Sequence, residues 1–204
     1  MKIHHFFIAF LLFSMTITAQ ESPLVNIETY GGTYAYDVKY ATDDNFLKTT
    51  VYDCVQCLLL PEVAEAIAAA NHDFCELGYK IQFFDCYRPL SVQKKMWAIY
   101  PNPSYVGNPY KSGSIHNRGA AIDMTIVKLD GTPLDMGSDY DHFGKEAHID
   151  HPNHTDTVKA NRKILWEVMK KNGFSVIRTE WWHFNYDAKN YGLKVLDIDF
   201  DCSE

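Results

Sequence analysis

Residues 114–123 constrain this chain more than any other stretch, because they place an imidazole and a carboxylate on either side of a glycine bend. His116 and Asp123 are seven residues apart, with Gly119 between them. Far downstream, Glu180 and His183 supply a second carboxylate and a second imidazole. Two histidines and one aspartate suit a zinc ion and leave a fourth coordination position open. The sequence therefore predicts a metal centre with His116, Asp123 and His183 as ligands.

Glu180 has a different predicted role, since it lies three residues before the last ligand and is not needed to complete the set. A metal hydrolase needs a base in such a place to take a proton from water. His116 alone would be interpreted as an ordinary loop histidine. Asp123 is stronger evidence for a metal site, because a carboxylate in so apolar a strand is costly to bury unless it is paired or bound to a metal. The prediction depends on all four residues together.

These residues form two motifs, Ser-x-His-x-x-Gly-x-Ala-x-Asp at 114–123 and Glu-x-Trp-His at 180–183. The motifs resemble those of the zinc peptidases that include the D-Ala-D-Ala dipeptidases (VanX-like), the related D,D-carboxypeptidases and the hedgehog signalling domain. Blocks at 37–46, 84–89 and 136–141 resemble the dipeptidases in particular, and the resemblance runs from about residue 24 to 195. It implies zinc-dependent hydrolysis of D-Ala-D-Ala to two D-alanines.

The resemblance also implies how the reaction proceeds. One zinc ion per chain activates a water molecule, and Glu180 acts as the general base. Arg88 stabilises the negative oxygen that develops on the attacked carbonyl, while Asp85 holds the Arg88 guanidinium in place. Without the resemblance, a surface ion pair between Arg88 and Asp85 is an alternative interpretation.

Three residues are assigned to substrate binding by the same resemblance. Tyr40 is expected near the substrate amine, Ser114 near the substrate carboxylate, and Asp141 at the free ammonium group. The residues themselves leave alternatives open. Tyr40 can be a packed aromatic, Ser114 can cap a turn, and Asp141 can be a solvated loop residue with Asp139 as its rival.

Two other functions stay open at this point. A D,D-carboxypeptidase acting on peptidoglycan stem peptides shares the metal chemistry, but Asp141 and Tyr40 favour the dipeptidase. A non-catalytic zinc-binding module is the second alternative, and the presence of Glu180 and Arg88 argues against it.

Together with the resemblance, the order of helices and strands predicts an α+β fold, with one domain, a central and mainly antiparallel sheet, about three main helices packed on it and the zinc site at the sheet. Helical spacing occurs at 61–77, 89–100 and 155–171, and alternation typical of strands occurs at 79–87, 120–127 and 175–186. Glu180 and His183 would face opposite sides of a regular strand. Both can reach one metal ion only if the last strand contains a bulge or irregular turn.

Residues 1–19 have a charged start, a short apolar run and a small-residue end, which predicts a secretory signal peptide cleaved after Ala19. A short N-terminal anchor is the alternative. The catalytic domain is then 20–204, in an exported, periplasmic enzyme without a stable membrane anchor.

The net charge of −7 and the absence of a Lys/Arg run argue against a nucleic-acid partner. The predicted partner is a small dipeptide, and the oligomeric state is left open.

Five cysteines follow the predicted cleavage site, and an oxidising compartment favours at least one disulfide. We predict a bridge from the region of Cys54 and Cys57 to Cys86, with one cysteine unpaired or paired between chains. Cys54 and Cys57 also have the spacing of a metal or redox pair, but there is no second pair at zinc spacing.

Overall fold

A computed structural model of the chain describes residues 22–186 and 192–203, and the predicted signal peptide at 1–19 lies outside them. The strands in the described residues are β1 (Val25–Asn26), β2 (Ala35–Tyr36), β3 (Leu58–Leu59), β4 (Tyr79–Asp85), β5 (Ala121–Lys128), β6 (Phe174–Ile177) and β7 (Glu180–Tyr186). The helices are α1 (Pro61–Glu76), α2 (Leu90–Ile99) and α3 (Asp156–Lys171). None of these helices combines the length and the apolarity that crossing a bilayer requires.

The central sheet has five strands in the order β2-β4-β5-β7-β6. Only β2 runs parallel to its neighbour, and the other pairs are antiparallel. Strands β1 and β3 form a separate two-stranded ribbon. The predicted α+β fold with a mainly antiparallel sheet is confirmed.

Each predicted helix is present within two residues of its expected bounds. Pro61 begins α1, where its fixed φ and missing N–H are tolerated, and the Thr155 side chain caps α3 by accepting from the Val158 N–H. Helices α1 and α3 share the main core with the sheet. Helix α2 contributes Val92 and Met96 to a second, smaller core beside the first.

Register assigns the functional residues of β4 and β5 to the face opposite the main core. Phe83 pairs with Met124, and both belong to that core, so the alternate residue Asp123 projects from the other face. Between Phe83 and Asp85 the register shifts, and Asp85 pairs with Asp123. This bulge brings Asp85 to the face of Asp123, whereas regular alternation would direct it with Phe83 into the core.

The prediction of a single strand over 175–186 is wrong, because β6 and β7 form a hairpin joined by Arg178 and Thr179. Neither linking residue is among the usual turn formers, so the sequence carries no hairpin signal there. The predicted irregularity is confirmed. Val176 pairs with Phe184 but Ile177 pairs with Glu180, which leaves three residues of β7 without partners on β6.

Two disulfides join distant segments. Cys57 is bonded to Cys86, which confirms the predicted bridge and settles which of the two candidate cysteines takes part. Cys54 is bonded to Cys202, a pairing that the sequence did not single out. Cys75 is free and exposed, so the expected unpaired cysteine lies on helix α1.

Candidate active site

Three adjacent strands bring a row of polar side chains to one place on the sheet. Asp123 of β5 pairs with His183 of β7 on one side and with Asp85 of β4 on the other. Residues directly opposite each other in an antiparallel ladder project from the same face. The ladder therefore explains how a histidine 60 residues away comes to bond Asp123.

His116 reaches the same place from a loop. It begins a 3-10 turn, His116–Arg118, that ends at Gly119 with φ +67°. A side chain at Gly119 would be strained by this left-handed φ, and its Cβ would lie 2.6 Å from Leu24. The turn is fixed to the end of β4, since the Arg88 N–H donates to the His116 carbonyl across 3.1 Å.

His116, Asp123 and His183 direct three donor atoms at one point. His116 Nε2 lies 3.3 Å from His183 Nδ1 and 3.4 Å from Asp123 Oδ1, and His183 Nδ1 lies 2.9 Å from Asp123 Oδ1. Tetrahedral zinc ligands at about 2.0–2.1 Å from the ion are about 3.3–3.4 Å apart. Two of the three separations match this spacing, so the residues fit a metal ion.

The other polar atoms of the three residues are hydrogen-bonded away from this point. His116 Nδ1 donates to the Cys86 carbonyl at 2.7 Å, and His183 Nε2 donates to Asn185 Oδ1 at 3.0 Å. Asp123 Oδ2 accepts from the Tyr140 hydroxyl at 3.0 Å. His116 Nε2 and His183 Nδ1 are therefore the nitrogens that remain to face the same point as Asp123, the arrangement in which outer hydrogen bonds orient metal ligands.

The electrostatics of the three residues link the charge of Asp123 to the two imidazoles. Burial tends to lower the pKa of the His183 imidazole, but the hydrogen bond and charge of Asp123 outweigh it and raise the pKa to about 9. Burial tends to raise the pKa of Asp123, but the two histidines hold it well below its usual range. Asp123 thus keeps the negative charge that a metal ligand needs, and metal binding would release the proton that His183 holds.

Glu180 lies beside this group without belonging to it. Its Oε2 is 3.9 Å from His183 Nδ1, and it lines a cavity of about 240 Å³ together with Trp182, Tyr105 and Phe143. Burial raises the pKa of the Glu180 carboxyl, although the neighbouring His183 opposes the shift. A carboxylate with a raised pKa at a cavity wall has the properties of a general base.

Arg88 is buried and held by a dense set of contacts. Its Nε donates to Asp85 Oδ2 at 3.0 Å, its Nη2 donates to the same oxygen, and its Nη1 donates to Gln93 Oε1 at 2.9 Å. Tyr52 donates its hydroxyl hydrogen to the other Asp85 oxygen. Arg88 and Asp85 form the ion pair considered from the sequence, but the prediction of a surface position is wrong, since both side chains are buried.

The residues predicted to bind the substrate amine meet at one contact. The Tyr40 hydroxyl donates to Asp141 Oδ2 at 2.8 Å, and the Arg88 guanidinium lies over the Tyr40 ring at 5.2 Å from its centroid. Burial, aided by the negative charge of Asp123, raises the pKa of Asp141 to about 8. Asp139, the rival, is exposed and has no such contact with Tyr40 in the described structure.

Ser114 lies at the start of the ligand turn, where its Oγ accepts from the His116 N–H at 3.2 Å. This contact is the turn cap considered from the sequence, and it leaves the hydroxyl hydrogen available to another acceptor.

Sequence reasoning missed several residues that support the site, namely Tyr52, Gln93, Tyr140 and Asn185. Asn185 had a signal, because it follows His183 by two residues in a strand and so shares its face. Tyr140 lies within the dipeptidase-like block at 136–141. Gln93 lies five residues from Arg88 at the start of α2, and Tyr52 reaches Asp85 only through the tertiary fold.

Comparison with known proteins gives the family. A family model described as D-ala-D-ala dipeptidase matches residues 20–200. The chain belongs to this family. A D-alanyl-D-alanine dipeptidase from Escherichia coli K12 is 35% identical over 167 residues, covering 81% of this chain and 85% of the relative.

A second curated relative agrees with this family assignment. A D-alanyl-D-alanine dipeptidase from Enterococcus faecalis V583 is 31% identical over 176 residues, covering 76% of this chain and 87% of that protein. A solved structure of the vancomycin resistance D,D-pentapeptidase VanY in complex with Zn(II) is 13% identical, with a TM-score of 0.42 over 64% of this chain and 73% of that one. Family membership makes this chain a metallopeptidase.

Proposed function

We propose that this chain hydrolyses the dipeptide D-Ala-D-Ala to two D-alanines, with one zinc ion held by His116, Asp123 and His183. The observation that carries the proposal is the buried set of three donor atoms within 4.8 Å of one another, beside a carboxylate, Glu180, that is not one of them. The proposed substrate is inferred from the relatives named D-alanyl-D-alanine dipeptidases.

The protein residues divide the chemistry between them. Zinc, when bound, polarises the scissile carbonyl and lowers the pKa of water toward about 7. Glu180 takes the proton of the attacking water on its carboxylate and later delivers it to the leaving amine. Its position at the cavity wall, 3.9 Å from His183 Nδ1, supports both transfers.

Arg88 stabilises the negative oxygen that develops on the attacked carbonyl. Asp85 and Gln93 fix its guanidinium before the substrate arrives, so little reorganisation is needed during the reaction. The buried positive charge of Arg88 is balanced by Asp85, which offsets the free-energy cost of removing the guanidinium from water.

Substrate binding follows from the charges at the two ends of a dipeptide. Asp141 binds the free ammonium group, and the Tyr40 hydroxyl orients the Asp141 carboxylate for it. Ser114 donates its hydroxyl hydrogen to the substrate carboxylate.

A D,D-carboxypeptidase acting on peptidoglycan stem peptides is the second candidate. A cavity of about 910 Å³ lined by Asp141, Tyr140 and Trp181 favours it, because this space would accommodate residues on the amino side of the scissile bond.

We also propose that the protein is exported to the periplasm, where it would recover D-alanine from released wall dipeptides. The disulfides Cys54–Cys202 and Cys57–Cys86 support export, since such bonds persist in oxidising compartments.

The test is a substrate panel. Purified, zinc-loaded protein is incubated with D-Ala-D-Ala, L-Ala-L-Ala and a pentapeptide ending in D-Ala-D-Ala, and free alanine is measured with and without a chelator. Chelator-sensitive cleavage of the D,D dipeptide alone supports the proposal. Cleavage of the pentapeptide supports the carboxypeptidase. No cleavage by protein with zinc bound would overturn both and favour a binding module.

A further inference from the structure

We propose that Cys86 is a positioning residue of the metal site, and that its disulfide with Cys57 holds the backbone carbonyl that orients His116. This inference rests on the proposed function, because it takes His116, Asp123 and His183 to hold the metal. Nothing in the family resemblance assigns a role to this bond.

The first observation is the contact itself. The Cys86 carbonyl lies 2.7 Å from His116 Nδ1, and a carbonyl oxygen can only accept. Nδ1 must therefore carry the hydrogen, which leaves the lone pair on Nε2, the nitrogen directed at Asp123 and His183. The position of one backbone oxygen thus sets both the tautomer and the direction of the His116 ring.

The second observation is that the segment carrying this oxygen has left the central sheet. The last ladder pair of β4 is Asp85 with Asp123, and residues 86–88 lie beyond it. On the ligand side, this segment makes three bonds to the turn, from His116 Nδ1 to the Cys86 carbonyl, from the Arg88 N–H to the His116 carbonyl, and from Asn117 Nδ2 to the Arg88 carbonyl.

On its other side, the segment is held to residues 57–58. The disulfide joins Cys86 to Cys57, and the Tyr87 N–H donates to the Leu58 carbonyl at 3.0 Å. Cys57 is itself fixed, because its carbonyl accepts from the Ile27 N–H at 3.1 Å and the adjoining β3 pairs with β1. The disulfide therefore connects the residue whose carbonyl orients His116 to a segment that is itself hydrogen-bonded to Ile27 and β1.

The expected size of the effect follows from other metal sites. Loss of a group that hydrogen-bonds a metal ligand typically costs about 10- to 100-fold in metal affinity. Without the Cys57–Cys86 bond, the Cys86 carbonyl is still present, but its residue is no longer covalently linked to residue 57. We therefore expect zinc affinity to fall by about tenfold or more when this bond is removed.

The second disulfide provides a matched control. Cys54–Cys202 joins two segments at the surface, and neither cysteine bonds His116, Asp123 or His183 in the described structure. The paired variants are Cys57→Ala with Cys86→Ala, and Cys54→Ala with Cys202→Ala. Zinc affinity is measured by competition with a chelator of known affinity, and cobalt is substituted so that its visible spectrum reports ligand geometry.

The expected result is a weaker zinc affinity and a changed cobalt spectrum in the Cys57/Cys86 variant, with both properties unchanged in the Cys54/Cys202 variant. Equal losses in both variants would show general destabilisation and overturn the inference, as would no loss in either. If wild-type protein fails to bind zinc, the proposed function falls as well. A wild type that binds zinc and a Cys57/Cys86 variant that matches it overturn the inference alone.

A measurement on the wild type keeps the inference testable if the variant does not fold. Coupling between two sites is reciprocal, so bound zinc should protect the Cys57–Cys86 bond from reduction. The protein is equilibrated in glutathione redox buffers of stepped ratio with and without zinc, and the freed cysteines are alkylated and mapped by mass spectrometry. We expect zinc to lower the equilibrium constant for reduction of Cys57–Cys86 by about tenfold and that of Cys54–Cys202 by less than about twofold. Equal protection of both bonds, or of neither, would overturn the inference.

Discussion

Tyr40 and Asp141 are 101 residues apart in the chain, yet the Tyr40 hydroxyl donates to an Asp141 carboxylate oxygen across 2.8 Å. Asp141 makes this contact with φ +57°, a left-handed backbone conformation that aspartate tolerates better than most residues. Residues held in such conformations concentrate at functional sites. The fold thus joins the two members of the predicted ammonium site and holds one of them in an uncommon backbone conformation.

The Asp141→Asn substitution should weaken cleavage of D-Ala-D-Ala, because the amide cannot balance the substrate ammonium group. We expect kcat/KM to fall about 30-fold or more, since truncating one partner of a buried charge pair costs roughly 2–5 kcal/mol. Asp139→Asn is the control and should leave kcat/KM unchanged. The same assay with N-acetyl-D-Ala-D-Ala, which has no ammonium group, should show little difference between Asp141→Asn and wild type. A large effect of Asp139→Asn would assign the ammonium to the rival residue.

The Glu180→Gln substitution should abolish most turnover while zinc stays bound. Glutamine has the shape of glutamate but cannot take a proton from water, so kcat should fall at least about 10²-fold. Zinc content by atomic absorption should remain one ion per chain, because Glu180 is not one of the three donors. Glu65→Gln on the exposed side of α1 is the control and should keep full activity. Near-normal kcat in the Glu180 variant would contradict the role of general base.

The Arg88→Lys substitution should lower kcat although the charge is kept. Lysine cannot reproduce the contacts of the guanidinium with Asp85 and Gln93, so the positive charge is no longer held toward the substrate carbonyl. We expect a loss of about 10²–10³-fold in kcat, the usual cost of removing one oxyanion donor. Arg178→Lys is the control, since Arg178 forms only an exposed ion pair with Asp150. Full activity of Arg88→Lys would show that position 88 supplies charge alone.

Asp141 also gives a pH prediction for the metal-free protein. Burial raises its pKa to about 8 in the folded state, against about 3.9 in an unfolded chain. Between these values the folded state binds more protons, so the stability from Asp141 is complete below about pH 4 and is lost as the pH rises through about 8. In chelator, the melting temperature of Asp141→Asn relative to wild type should therefore rise from about pH 4 to about pH 8. A difference that stays constant over this range would contradict the raised pKa.

Much of the fold could be predicted because periodicity reports local structure directly. Each helix has apolar residues at helical spacing and a recognisable start, such as Pro61 for α1 and Thr155 for α3. The hairpin at Arg178 and Thr179 could not be predicted, because neither residue is a usual turn former. The pairing of strands depends on long-range packing, which a local pattern does not contain.

The candidate site, too, could be predicted from the sequence only in part. His116, Asp123 and His183 could be named from residue type and spacing, and the fold brings them together. The need for an irregularity in β7 followed from geometry, because Glu180 and His183 had to meet. Tyr52 could not be named, since only the tertiary structure places it beside its buried partner Asp85, whereas Gln93 lies five residues from Arg88 and was missed although it is near in sequence.

The pairing of Asp123 with His183 has a consequence for how the enzyme matures. His116 and Asp123 are synthesised early and close together, but the third donor arrives only with β7, 60 residues after Asp123. The ladder between β5 and β7 cannot form until that strand has left the ribosome and docked. A nascent or partly folded chain therefore has at most two of the three donors in place. The three donors therefore meet only when β7 has joined the sheet.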